Sequence, residues 1–145
     1  KKMVDITASS PANWGNLKNL VDLDSTEWFG TKDNENSWIK YDFKDKKVCP
    51  ICYLIRSIAW NDNDHHPKSW VVEGSNSDSD NDWIVLDIKN DCSFLNGRSV
   101  VHCFPIQESK EFFRYLRIRQ TDKNVSNNYC LAISTLEYFG SIKYT

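Results

Sequence analysis

Three stretches of this chain carry side chains of the types that do chemistry. Asp22, Asp24 and Thr26 fall within five residues just ahead of Trp28, and they offer carboxylate, hydroxyl and carbonyl oxygens of the hard kind that calcium prefers. The same residue types also cap turns and short helices, so an ion-free turn is the competing reading. Cys49-Pro50-Ile51-Cys52 is a lone C-x-x-C. A structural zinc site needs four ligands, and the adjacent His65 and His66 would diverge in an extended segment, so the plainer reading is one buried thiol and one turn residue leading into a strand at Tyr53. The third stretch, Asn61-Asp62-Asn63-Asp64-His65-His66, supplies donors and acceptors of the kind that sugar hydroxyls need. Its bland counterpart is a solvated loop of turn formers. No nucleophile elbow, phosphate loop or metal-hydrolase motif occurs, and enzyme activity is not expected.

Composition narrows the scaffold that must hold these stretches. The chain has 145 residues, 40% of them apolar and 13% aromatic, enough bulk for one core and one domain spanning residues 1–145. Val, Ile, Thr and aromatic residues are plentiful while Met occurs once, a bias toward pleated sheets. Eighteen Lys and Arg face twenty Asp and Glu, with no basic run to neutralise phosphates, so nucleic acid is a poor partner. No stretch is long and apolar enough for a membrane span or a signal peptide. The five cysteines form an odd set without the spacing of a secreted scaffold, which favours a reducing, cytoplasmic setting. The opening Lys1-Lys2-Met3 suits a domain excised from a longer protein.

Short apolar or alternating runs, separated by Asp, Asn, Ser and Gly, predict strands at 38–43, 53–60, 69–73, 83–88, 100–106, 112–120 and 131–139. In the first, Ile39, Tyr41 and Phe43 share one face, leaving Lys40 and Asp42 on a wet one. Only Asn16 to Leu23 has helical spacing, and it is too short to stand alone.

The order of several short motifs then adds a family. Ile6-Thr7-Ala8-Ser9-Ser10, Trp14-Gly15, Val21 to Trp28, Trp38 to Phe43, Ser69 to Asn76 with Asp82-Trp83, Phe113 to Ile118 and Leu136 to Gly140 together resemble the coagulation-factor type C, or discoidin, domain family across nearly the whole chain. The resemblance implies an all-β, eight-stranded antiparallel jelly-roll sandwich of the galactose-binding kind, with ligand loops at one end. Members bind glycans, phospholipid head groups or proteins. The disulfide that ties the ends of secreted members has no counterpart, since no Cys precedes Cys49 or follows Cys130. The wording around His65 to Trp70 and Arg119-Gln120-Thr121 is most similar to versions in intracellular multidomain proteins of protists and in BTB-containing proteins.

That resemblance also assigns roles. It implies a structural calcium held by Asp22, Asp24 and Thr26 together with Glu137 of the last strand. It puts Trp14 where membrane-binding relatives project an aromatic spike, but a single indole does not predict membrane insertion; the competing role is packing over the end of the sandwich. It places Asn63, His65 and His66 near that same end, with Arg119, Asn124, Asn127, Asn128 and Tyr129, from the connection between the last two strands, completing a polar pocket. Two functions of different class follow: a non-catalytic module that binds a glycan through these loops, or an intracellular protein-interaction domain within a larger assembly.

Overall fold

Alternation decides which side of each strand meets the core, and the computed structural model, which describes residues 4–60, 64–107 and 110–145, shows how the strands are shared out. In chain order they are β1 Asp5–Ala8, β2 Trp14–Gly15, β3 Phe29–Gly30, β4 Trp38–Asp42, β5 Lys46–Arg56, β6 Trp70–Ser75, β7 Ile84–Lys89, β8 Val101–Pro105, β9 Tyr115–Gln120, β10 Ala132–Ile133 and β11 Thr135–Tyr144. A five-stranded sheet in the order β1-β4-β9-β6-β7 packs on a three-stranded sheet, β11-β5-β8, and all pairings are antiparallel. These eight strands form the expected all-β jelly roll. Three two-residue strands, β10-β3-β2, make a small third sheet at one end.

The inner faces are apolar. Ile39, Tyr41, Trp70, Val72, Leu116 and Ile118 from the larger sheet meet Tyr53, Ile55, Phe104 and Leu136 from the smaller, all nearly fully buried. Two polar bridges cross this layer: Tyr41 Oη donates to the Leu136 carbonyl at 2.7 Å, and Trp70 Nε1 donates to Tyr53 Oη at 2.9 Å. Each satisfies a buried donor that would otherwise cost one or more kcal/mol, so the two sheets are fixed in register by hydrogen bonds as well as by area.

Three details differ from the sequence reading. The Cys49 to Cys52 stretch lies inside β5, which begins at Lys46; Pro50 is tolerated there because the ladder with β11 breaks at a bulge between Phe139 and Gly140, opposite it. The helical spacing after Asn16 becomes a single 3-10 turn, Leu17–Val21, with Asn16 Oδ1 accepting from the Lys18 N–H at 3.0 Å and Leu20 buried beneath it. The face expected to be wet is polar but covered. Lys40 Nζ lies 5.5 Å from the Trp38 ring and Asp42 accepts from Arg114 Nε at 2.9 Å.

Further along that outer face, Glu73 is only 4% exposed and accepts from Arg117 Nε at 2.9 Å and Arg119 Nε at 3.1 Å. Arg117 in turn lies 4.1 Å from the Trp83 ring. Burial alone would raise the Glu73 carboxyl, but the hydrogen bonds and charges of Arg119 and Arg117 outweigh it and hold the group below its usual 4.5. A carboxyl lowered in the folded state stabilises the fold above its unfolded pKa and loses that contribution as pH falls through the folded one. Urea denaturation should therefore show stability declining as pH drops below about 4.5. Glu73→Gln should lose about 2 kcal/mol at neutral pH and flatten that acid decline.

Candidate functional site

The small third sheet sets the site. Trp14 pairs with Gly30 and Gly15 with Phe29. A Cβ on Gly30 would stand 2.4 Å from Trp14 Cε3, so the indole lies directly on a residue that has no side chain. Gly15 has φ +72°, a conformation that favours glycine, and a Cβ there would meet the Trp28 carbonyl. These two glycines let the backbone at Trp14 come within contact of the Trp28 segment.

On this base stands a row of rings. Trp14 is 5.3 Å from Trp28, with the planes tilted by 37°, and 5.1 Å from His65, edge-on. Trp28 is 6.0 Å from Trp60, again edge-on, and Trp60 is 64% exposed. Offset and edge-to-face contacts of this kind are favourable between ring quadrupoles and leave faces and edges of the outer rings open to solvent. The result is a rigid aromatic platform at one end of the sandwich, half-buried at Trp14 and Trp28 and open at Trp60.

His65 is fixed from three sides. Its backbone is left-handed, φ +54°, its N–H donates to Ser126 Oγ at 2.8 Å, and its Nδ1 is bonded to the Asp64 carboxylate. In the neutral ring that bond puts the proton on Nδ1 and leaves Nε2 as an acceptor. Ser126 is positioned by Asn124, whose Oδ1 accepts from the Ser126 N–H at 2.9 Å. Asn124 is 1% exposed, and its Nδ2 donates to Asn128 Oδ1 and to the Cys130 carbonyl, both at 2.8 Å. Asn128 Oδ1 also accepts from the Cys130 N–H at 3.1 Å. These two asparagines thus hold the loop from within.

The remaining predicted residues divide further. His66 is fully buried, and its carbonyl accepts from the Val125 N–H at 3.1 Å. Arg119 lies one element earlier than expected, inside β9, because it pairs with Trp38 and Val71; its side chain emerges on the outer sheet face, on Glu73 and on Asn36 Oδ1 at 2.9 Å. Tyr129 is half-exposed, its N–H donating to Asp33 Oδ1 at 2.7 Å, with Lys123 Nζ 5.7 Å from its ring. Asn63 lies outside the described residues. Trp28 and Trp60 belong to the platform and escaped the sequence reading, whereas Asp64 and Ser126 lie in the loops expected to carry the ligand. Trp60 was legible only as an aromatic residue directly preceding the Asn61 to His66 loop.

The oxygens proposed for calcium do not gather. Asp22 Oδ1 accepts from the Asp24 N–H at 3.1 Å, a turn cap. The carbonyls of Leu23 and Ser25 accept from the guanidinium of Arg56, at 3.2 Å for Leu23. Glu137 lines a groove of about 800 Å³ on the flank of the sandwich among Val4, Ile6, Leu17 and Tyr138, and among the described residues no three His, Cys, Asp or Glu side chains cluster as metal ligands. Calcium takes six to eight oxygens, and this arrangement does not fit it.

Comparison with known proteins agrees with the architecture. The F5/8 type C domain family matches residues 5–134, and the chain belongs to it. No curated protein matches. Among solved structures, a family 32 carbohydrate-binding module of Clostridium perfringens NanJ, in complex with galactose, superposes with a TM-score of 0.71 at 9% identity, covering 97% of this chain and 94% of that one. Another Clostridium perfringens family 32 module, in complex with GalNAc-beta-1,3-galactose, gives 0.70 at 12% identity over 94% and 95%. The family 62 module of Clostridium thermocellum Xyl5A gives 0.64 at 19% identity over 98% and 96%. At these identities the likeness is one of fold.

The buried asparagine hub yields a direct test of how the loop is held. Asn124→Ala removes its side-chain hydrogen bonds from the interior and should cost about 1–3 kcal/mol in urea denaturation. The backbone amides of Ser126 and His65 should then exchange with solvent faster than those of β9.

Proposed function

We propose that this chain is a non-catalytic glycan-recognition module whose ligand surface is the Trp14, Trp28, Trp60 and His65 platform. The observation that carries the reading is the row of rings itself: three indoles and an imidazole in contact at a loop-bearing end of a rigid sandwich, with Trp60 open to solvent. An indole face accepts the C–H-bearing side of a pyranose, while His65 Nε2 and the Asp64 carboxylate offer acceptors for hydroxyls around it. The platform needs little rearrangement to bind, because Gly30 and Asn124 fix its base and its loop before any ligand arrives. Galactose and GalNAc-beta-1,3-galactose, seen with two structures of this fold, are the first ligands to try.

Recognition by loops on a sheet scaffold asks nothing of a nucleophile. A protein partner is the competing class of ligand for the same surface, since an exposed Trp is also a favoured anchor in protein interfaces.

A glycan array followed by calorimetry tests the proposal. Trp60→Ala and His65→Ala should each weaken binding of the best array hit about tenfold or more, equivalent to about 1.4 kcal/mol, without lowering the melting temperature appreciably. A blank array at high protein concentration, or a hit whose affinity neither substitution changes, would remove the glycan reading.

A further inference from the structure

The loop that leads into the platform is held in a way that the resemblance does not anticipate. From Leu23 to Trp28, alternate carbonyls turn toward the end of the smaller sheet, and each meets a donor from the protein. Leu23 O accepts from Arg56 Nη1 at 3.2 Å, Ser25 O accepts from Arg56 Nη2, and Glu27 O accepts from Ser134 Oγ at 2.7 Å. Trp28 O accepts from Asn19 Nδ2 at 3.2 Å, so four carbonyls of the loop are occupied by side chains.

Arg56 is well placed for this task. It is the last residue of β5, paired with Val101 on one side and Thr135 on the other, and its carbonyl accepts from the Ser134 N–H at 2.8 Å. Ser134 therefore sits beside Arg56 and completes the same set of donors. The guanidinium is planar, always charged, and presents two parallel N–H prongs, which suits a pair of carbonyls i and i+2 apart. A divalent ion placed at the Leu23 and Ser25 carbonyls would bring two cations together while breaking the bonds already made.

We propose that the Arg56 guanidinium does in this chain the work of a bound metal ion, gathering the Leu23 and Ser25 carbonyls so that the module folds without calcium. Arg56 is then a positioning residue for the platform, because the loop it secures delivers Trp28 to its contacts with Trp14 and Trp60. The proposal concerns how the loop is held and stands apart from which ligand the platform takes.

Thermal melts of the purified protein in chelator and in millimolar CaCl2 read the metal directly, as does tryptophan-sensitised terbium luminescence, since Trp28 adjoins the loop. The wild type should melt at the same temperature in both solutions and give no sensitised terbium signal, because an ion bound only by the native state would have to stabilise it. Arg56→Gln, which removes the charge and one prong, should melt about 5 °C lower. Arg56→Lys, which keeps the charge without the fork, should fall between. A wild-type melting temperature that rises with calcium, or a saturable terbium signal from the wild type, overturns the proposal. So does an Arg56→Gln protein that melts like the wild type. If Arg56→Gln fails to fold, the wild-type melts and Arg56→Lys still decide.

Discussion

Trp14 can occupy its place only because position 30 carries no side chain. That single close approach fixes the separation of β2 from β3, and with it the height at which the indole stands above the small third sheet. Everything at the site follows from it: Trp28, carried by the segment that ends in β3, packs on Trp14, Trp60 packs on Trp28, and His65 closes the other edge. The sandwich below supplies rigidity. Hydrogen bonds from Tyr41 to Leu136 and from Trp70 to Tyr53 tie its two sheets together through the core, so that loops from both sheets keep a constant spacing.

The loops at this end are ordered by polar side chains directed inward. Asn124 and Asn128 satisfy the backbone of 124–130, Asp64 and Ser126 orient His65, and Arg56 with Ser134 and Asn19 secures 23–28. Each replaces water or an ion with a fixed protein donor or acceptor, and the entropy of ordering the loop is met in folding rather than in binding. This division explains why so many Asn, Asp and Ser residues at one end of the molecule are structural even though their chemistry suits a ligand.

Period-2 alternation made the core legible in advance. Ile39 and Tyr41 face inward as their spacing requires, and the order of short motifs from Ile6 to Gly140 was enough for the jelly roll. The site was legible only in part. Trp14 and His65 were expected at this end from the resemblance, but nothing local separates His65, half-buried, from His66, fully buried; that distinction arises where the left-handed turn at His65 sends successive side chains opposite ways. Trp60 was hidden at the end of an apparent strand that stops at Arg56. Arg56 itself escaped because its acceptors lie 31 and 33 residues away, a pairing that only the packing of β5 against the loop creates. The Asp22, Asp24 and Thr26 cluster was read from its oxygen types, but oxygen types do not show that Arg56 bonds the carbonyls of the residues between them, Leu23 and Ser25.

The most direct measurement of the central claim is a 1H-15N spectrum of the six indole N–H groups during titration with galactose or a galactose-containing disaccharide. The account predicts that the signals of Trp14, Trp28 and Trp60 move together and saturably, while those of Trp38, Trp70 and Trp83, in the core and on the outer sheet face, stay where they are. Saturable shifts centred on Trp38 and Trp83, with the platform indoles unmoved, would place binding elsewhere on the molecule and contradict it.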